Sequence, residues 1–352
     1  MAKILPVDEQ TIFLCADELK KGNLVAFPTE TVYGLGANAL NSFAVEKIFE
    51  AKKRPKSDPL IVHVSKIEDA YNLIDATPFQ KTCFEILGKK FWPGPLTIIV
   101  KCSNQVPKNV TANSHYVGIR IPNHPVALEL LEKCGFPVAA PSANLFGHTS
   151  PTTAEHVATD LGYYQDLIIL QTDVPCHVGI ESTIIKIDEN NEITLLRPGA
   201  ISSIEISEHI KFNVKHKKRE LTEKNMGELE SSGQLLTHYA PSLESFILGN
   251  LNKGYVKEIN FLSQCVLIDF NSIHKDMKKI VTAYFDLSSL GSFAEASYNL
   301  FAILRNAEAV NGAKYILLPD FSNFNDELAI AVFDRVYRAA SGKYISLNQF
   351  SF

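Results

Sequence analysis

Two prolines, Pro55 and Pro59, constrain this chain more than any other feature, because they fix where one element stops and the next begins. They sit in K-K-R-P-K-S-D-P-L (Lys52–Leu60). Proline lacks an amide hydrogen and clashes with the preceding turn, so Pro55 cannot continue a helix and pushes Arg54 toward extended backbone. Pro59 leads into I-V-H-V, a β-branched run that reads as a buried strand carrying His63. Four cations, Lys52, Lys53, Arg54 and Lys56, therefore occupy five positions between a helix end and a strand start. A cluster so fixed in direction suits a polyanion such as a triphosphate. The competing reading is a solvated helix C-terminus, where the dipole favours cations anyway.

The pattern of strand followed by polar segment recurs. Leu24–Phe27 reads as a strand running into P-T-E-T-V-Y-G-L-G (Pro28–Gly36), whose hydroxyls and glycines suit a small polar ligand. Y-V-G-I-R-I-P (Tyr116–Pro122) places Arg120 in an apolar strand, where it needs an anion, either an internal carboxylate or that of a substrate. Strand Pro137–Ala140 precedes P-S-A-N-L-F-G-H-T-S-P-T (Pro141–Thr152), and G-I-E-S-T-I-I (Gly179–Ile185) reads as a strand interrupted by polar residues. Leu195–Gly199 sets Arg197 at a turn. Polar segments repeated after buried strands point to one shared cleft in an α/β domain.

Amphipathic spacing predicts helices over Asp8–Lys21 (Ile12, Phe13, Ala16 and Leu19 inward), over Ser42–Lys53 with Ser42 as N-cap, over Pro78–Lys90 and over Pro125–Lys133. Ser65-x-x-Glu68 and Thr152-x-x-Glu155 have capping-box form. From Ser202 to Gln234 apolar residues thin out and K-H-K-K-R-E (Lys215–Glu220) gives a charge run, which reads as a linker ending near H-Y-A-P (His238–Pro241). A second α/β rhythm follows, with strands Ser245–Leu248, Cys265–Asp269, Ala283–Leu287 and Tyr315–Leu318 and helices Gly291–Ala309 and Asp326–Ala340. The expected division is a catalytic domain over 1–201, a linker over 202–242 and a smaller domain over 243–352.

At 46% hydrophobic and 21% charged, the 352 residues can build ordinary cores. A net charge of −5 supplies no global pull toward nucleic acid or membrane. The six cysteines are dispersed, with no zinc-type spacing, and no signal or membrane-length apolar run is seen, so a cytoplasmic protein is expected. No Ser-His-Asp or Cys-His constellation is evident, which argues against a covalent enzyme intermediate.

Together P-T-E-T-V-Y-G-L, K-x-R-P-x-x-x-P-L with I-V-H, G-I-R-I-P, A-A-P-S-A-N and L-R-P-G resemble the YrdC-like domain of threonylcarbamoyl-adenylate synthases, and H-Y-A-P with the second α/β unit resembles their long two-domain form. The resemblance implies a twisted mixed sheet with a concave basic cleft plus a Rossmann-like C-terminal domain. It implies condensation of L-threonine, bicarbonate or CO₂, and ATP, with Mg²⁺ accompanying the ATP, and a partner enzyme that moves the threonylcarbamoyl group to tRNA beside the anticodon. By matching motifs, Thr31, His63, Arg120, Ala140 and Ser182 would hold threonine. Lys52 and Arg54 would be the catalytic cations, and Arg54, Asp58, Tyr116, Ser142, Ser150, Arg197 and Tyr239 would line the ATP site. Two positions depart from the family pattern: Asp58 stands where Asn is common, and Phe146 where a small Ser is common. The rival from another class is a non-catalytic RNA-binding module with direct tRNA contact, which predicts salt-sensitive affinity without ATP turnover.

Overall fold

Short β-branched runs alternating with capped helices give the chain two sheets. The structure, a computed structural model, describes residues 1–217, 230–231, 233, 235–249, 255–257 and 259–347. It divides into two units: Met1–Phe146 with Ser150–Gln234, and Gly147–Thr149 with Leu235–Phe352.

The first unit contains β1 (Lys3–Pro6), α1 (Glu9–Lys20), β2 (Val25–Phe27), β3 (Gly34–Asn38), α2 (Ser42–Lys52), β4 (Ile61–His63), α3 (Ile67–Ala70), α4 (Pro78–Phe91), β5 (Leu96–Lys101) and β6 (Tyr116–Arg120). It continues with α5 (Pro125–Cys134), β7 (Val138–Ala139), α6 (Ala154–Leu161), β8 (Ile168–Gln171), β9 (Thr183–Ile187), β10 (Ile193–Arg197), α7 (Ser203–Ile210) and β11 (Val214–His216). Its strands form one mixed sheet in the order β1-β8-β2-β3-β7-β4-β6-β5-β9-β10-β11.

Register decides which residues share a face. Ile61 and His63 lie beside Gly118 and Arg120, Ile99 beside Gly118, and Ile184 beside Thr97. Side chains alternate along strands, so Ile61, His63, Thr97, Ile99, Tyr116, Gly118, Arg120 and Ile184 stand on one face. Their neighbours Val62, Ile98, Val117, Ile119 and Ile185 face the other way, into the main core with Ile48, Phe49, Phe84 and Leu87 of α2 and α4. Around β5, β6 and β9 this face carries a small apolar cluster of Ile99, Ile184 and Leu196 between polar side chains, while at β7 Val138, opposite His63, joins a second core with Phe27, Ile12 and Leu130.

The local chemistry corrects several expectations. Asn41, not Ser42, caps α2 by accepting from the amides of Phe43 and Ala44, and Lys53 ends the helix in the left-handed region at φ 52°. Thr153, not Thr152, caps α6, and Ser65 donates to Asp69 while Lys66 stands at the N-cap of α3 without a side-chain cap. Phe13 is half exposed rather than inward. The run Gly179–Ile185 becomes strand only from Thr183, Gly179 having φ 76°. The stretch read as a linker from Ser202 carries α7, closed by a Ser202–Glu205 capping box with Ile206 and Ile210 buried, and β11, which pairs in parallel with β10. Part of the charge run, 218–220, lies outside the described residues.

The second unit contains β12 (Glu244–Leu248), β13 (Tyr255–Lys257), α8 (Ile259–Leu262), β14 (Cys265–Asp269), β15 (Ala283–Asp286), α9 (Phe293–Glu308), β16 (Tyr315–Pro319), α10 (Glu327–Ala339) and β17 (Tyr344–Leu347). Its sheet, ordered β13-β17-β12-β16-β14-β15, is parallel at every pairing. The expected class, a mixed α/β sheet followed by a smaller α/β domain, is what the chain forms, and the second sheet is parallel. Among the described residues no helix is long and apolar enough to cross a membrane.

Candidate functional site

Arg120 is the last residue of β6, and the parallel pairing with β4 sets His63 beside it. Its Nε donates to the Gly94 carbonyl at 3.3 Å and its Nη2 to Thr31 Oγ1 at 3.0 Å, while Nη2 also pairs with Glu30 Oε2 at 2.7 Å. Of the two partners the sequence allowed, the internal carboxylate is therefore present. Among the described residues Nη1 makes no hydrogen bond, so one edge of a well-oriented guanidinium keeps donor capacity. The loop after β2 is held for this by Thr29, whose Oγ1 donates to the Val32 carbonyl at 2.6 Å and accepts the Thr31 and Val32 amides. Burial pushes His63 down to about 3, and the nearby Arg120 charge adds to the shift, so the ring is neutral at neutral pH. Among the described residues its buried Nδ1 has no hydrogen-bond partner. Ala140 is buried just past the end of β7, its amide donating to the Ile61 carbonyl of β4.

The basic cluster splits in two. Lys53 and Lys56 reach the surface, Lys53 over the Tyr163 ring and Lys56 toward Glu46. Lys52 and Arg54 are buried. Lys52 Nζ donates to the Ser142 carbonyl at 2.6 Å and to the Asn144 carbonyl, tying the end of α2 to the loop after β7. Burial, aided by the Arg54 charge, pushes this amine well below its ordinary range. Arg54 donates to the carbonyls of Asp58 (3.2 Å) and Pro59 (3.0 Å) and pairs with Asp58 Oδ1 at 2.8 Å. Burial pushes the Asp58 carboxyl up, with Arg54, Lys52 and Arg197 pulling against it.

A third group gathers where β9 begins and β10 ends. Arg197 donates through Nε to the Ser182 carbonyl at 3.0 Å and through Nη2 to Ser182 Oγ at 3.1 Å. Ser182 Oγ shares a 2.8 Å hydrogen bond with Thr97 Oγ1, and Ser150 Oγ donates to Glu181. A register shift between Leu195 and Arg197 brings Arg197 opposite Ile184. On the same face a shallow depression is lined by Ile61, Ile99, Tyr116, Gly118 and Ile184, with Ser231 among its rim residues. The Lys186 ammonium lies 4.2 Å from the Tyr116 ring centroid and 2.6 Å from Glu230.

Of the residues expected from sequence, Thr31, His63 and Arg120 meet directly, as do Lys52 with Ser142, Arg54 with Asp58, and Ser182 with Arg197. Ser150 joins through Glu181, and Tyr116 lines the depression. Tyr239 lies in the second unit, buried 5.5 Å from the Phe301 ring and 5.7 Å from the Arg335 guanidinium carbon. Sequence reasoning did not assign Glu30, Thr97, Asn144 or Glu181; the first stood in plain view within P-T-E-T, but its partner comes from a distant strand. Among the described residues no group of three His, Cys, Asp or Glu side chains could hold a metal ion.

Comparison with known proteins gives a consistent result. The Sua5/YciO/YrdC family model, described as "Telomere recombination", matches residues 17–199, and one described as "Threonylcarbamoyl-AMP synthase, C-terminal domain" matches residues 201–341. The chain is 35% identical over 345 residues to a threonylcarbamoyl-AMP synthase of Pyrococcus abyssi, covering 97% of each protein. It is 43% identical over 240 residues to one of Bacillus subtilis, covering 68% of this chain and 66% of that one. A crystal structure of P. abyssi Sua5 complexed with L-threonine superposes with a TM-score of 0.83 at 32% identity, covering 99% of this chain and 100% of that one.

Proposed function

The chain belongs to the threonylcarbamoyl-AMP synthase family, and from that premise we propose how its residues divide the work. The enzyme is a nucleotidyltransferase that forms L-threonylcarbamoyladenylate and pyrophosphate from L-threonine, bicarbonate or CO₂, and ATP, for threonylcarbamoyladenosine modification of tRNA. The observation that carries the assignment of residues is the Arg120 guanidinium. It is held at Nη2 by Glu30 and Thr31 and at Nε by the Gly94 carbonyl, retains Nη1, and stands beside a neutral His63. Arg120 Nη1 takes the threonine carboxylate, Thr31 and Ser182 offer hydroxyls, and His63 and Ala140 bound the side-chain space.

The nucleotide lies along Arg54, Ser142, Ser150 and Arg197, with its base directed over the Tyr116 side of the face, where among the described residues Ser231 Oγ is buried without a hydrogen bond. Asp58 serves by orienting Arg54, and Lys52 by holding the loop that carries Ser142. The assignment of Tyr239 to the nucleotide rests on the motif resemblance alone. Mg²⁺ arrives as part of the ATP substrate, which suits an ion that keeps phosphate and water ligands rather than a protein cage. A carbamate oxygen of N-carboxythreonine attacks the α-phosphorus, the bond to the bridging oxygen breaks, and pyrophosphate leaves. The protein contributes positioning and charge stabilisation of the accumulating anions, with no covalent intermediate. A partner enzyme then transfers the threonylcarbamoyl group to tRNA.

Pyrophosphate release measured with each of the twenty amino acids, with and without bicarbonate, tests this. Release requires both threonine and bicarbonate. Release that ignores the amino acid, or favours another one, overturns the assignment.

A further inference from the structure

Two buried threonines that the reaction has not yet used, Thr29 and Thr97, each hold the hydroxyl of a residue assigned to threonine. The antiparallel register Ile98–Ile119 carries on to set Thr97 across from Arg120, on the side away from His63. Gly118, two residues back on β6, leaves room for the Thr97 methyl, since a Cβ there would lie 3.2 Å from Thr97 Cγ2. A β-branched side chain is stiff at χ1, so with the methyl so placed the Thr97 hydroxyl is held at 2.8 Å from Ser182 Oγ.

Counting protons gives each of these bonds a direction, because a hydroxyl has one proton to donate and two lone pairs. Thr29 Oγ1 donates to the Val32 carbonyl at 2.6 Å, so the 2.8 Å bond between the Thr29 and Thr31 hydroxyls is donated by Thr31. Thr31 Oγ1 also accepts from Arg120 Nη2, which leaves it one lone pair and no proton. Toward a ligand it can only accept. The count at Ser182 comes out the other way. Ser182 Oγ accepts from Arg197 Nη2 at 3.1 Å. If Ser182 also donated to Thr97, the Thr97 proton would have no acceptor among the described residues, and a buried donor left unmatched is costly. With Thr97 donating instead, both Ser182 lone pairs are filled and its own proton is left for a ligand oxygen.

We infer that Thr97 is a positioning residue for threonine: by donating to Ser182 it makes that hydroxyl a donor only, so that Ser182 takes a carboxylate oxygen of the substrate, while Thr31, opposite in polarity, takes a substrate donor. The inference rests on the reading of Ser182 as a threonine contact, and every residue in it lies in the first unit. Threonine and its N-carboxylated form both carry carboxylate oxygens and an N–H, so one arrangement serves before and after carboxylation. Arg197 reinforces it, because a charged donor into Ser182 Oγ polarises the proton on the far side.

Steady-state kinetics of Thr97→Val, Thr97→Ala, Thr97→Ser, Ser182→Ala and the Thr97→Val/Ser182→Ala double variant, with thermal melts of each, test it. Thr97→Val keeps the shape and raises KM for threonine about fivefold, on the scale of one neutral hydrogen bond, with KM for ATP within about twofold. Thr97→Ala repeats this threonine-selective rise, and Thr97→Ser, which keeps the hydroxyl, stays near wild type. The double variant is no worse for threonine than Ser182→Ala alone, because Thr97 acts only through Ser182. If Ser182→Ala raises KM for threonine but the Thr97 variants do not, or if the two losses multiply, the inference falls and the reading of Ser182 stands. If Ser182→Ala leaves KM for threonine unchanged, that reading itself fails. Equal rises in both KM values, or a loss that simply follows the melting temperature, mark Thr97 as a core residue and overturn the proposal.

Discussion

The first unit buries two arginine–carboxylate pairs, and they differ in how their members are brought together. Arg54 and Asp58 lie four positions apart, between prolines that already fix the chain, whereas Arg120 and Glu30 come from elements far apart in sequence. Both pairs are almost fully excluded from water. In such a place a lone charge is expensive, and removing one member costs about 3–5 kcal/mol because the other is left uncompensated. The local pair sits beside further donors and acceptors: Lys52 and Arg197 both act on Asp58, and Arg54 also holds two carbonyls. The distant pair has less around it. Glu30 leans on Arg120, and Arg120 in turn is aimed by Glu30, Thr31 and Gly94. The comparison teaches that the Arg120 pair should be the more fragile and the more closely tied to substrate.

The largest expected effect is therefore at Arg120. Arg120→Met should lower kcat/KM for threonine by about three orders of magnitude and lower the melting temperature, since it strands Glu30 as well as losing a substrate donor. Adding Glu30→Gln to that variant should restore the melting temperature but not threonine use. Recovery of both would show that Arg120 matters only for folding.

Arg54→Ala comes next, with about a hundredfold loss in the rate of pyrophosphate release, the scale of one electrostatic donor. Asp58→Asn should stay within about threefold of wild type, because an amide oxygen still accepts from Arg54. Glu30→Gln alone should cost about tenfold. If Asp58→Asn proved more damaging than Glu30→Gln, the contrast between the local and distant pairs would be lost.

The effect furthest from catalysis is on stability in acid. His63 falls from its ordinary 6.5 to about 3 in the folded protein. Between those values the unfolded chain binds more protons than the folded one, so stability rises with pH across that window and levels off above it. His63→Asn should flatten this slope by at most about 1.4 kcal/mol per pH unit, as read from denaturant melts between pH 4 and 7. An unchanged slope would mean that His63 titrates normally in the folded protein.

The contrast also explains what could be read in advance. Pro55 and Pro59 told where α2 stops and β4 starts, and Cys265–Asp269 was legible as a strand because its apolar run is bounded on both sides. Arg120 in an apolar strand announced that an anion had to be near, but the sequence could not say that Glu30 would be that anion, because the pairing is made by sheet order. Likewise four adjacent cations said nothing of their directions. The left-handed turn at Lys53 sends two of them outward and buries Lys52 against backbone carbonyls, which makes it a loop holder. Polar composition hid α7 and β11, whose few buried residues, Ile206, Ile210 and Val214, suffice to dock them. No local signal marks Gly147–Thr149 as part of the second unit; that follows from bonds made to residues far along the chain.

In the proposed division of work, Arg120 serves threonine while Arg54 serves ATP. The direct measurement is KM for each substrate in Arg120→Lys and Arg54→Lys, with pyrophosphate release as the readout. KM for threonine should rise in the first with KM for ATP nearly unchanged, and the reverse should hold in the second. Equal shifts of both constants in both variants, or no shift in either, would contradict it.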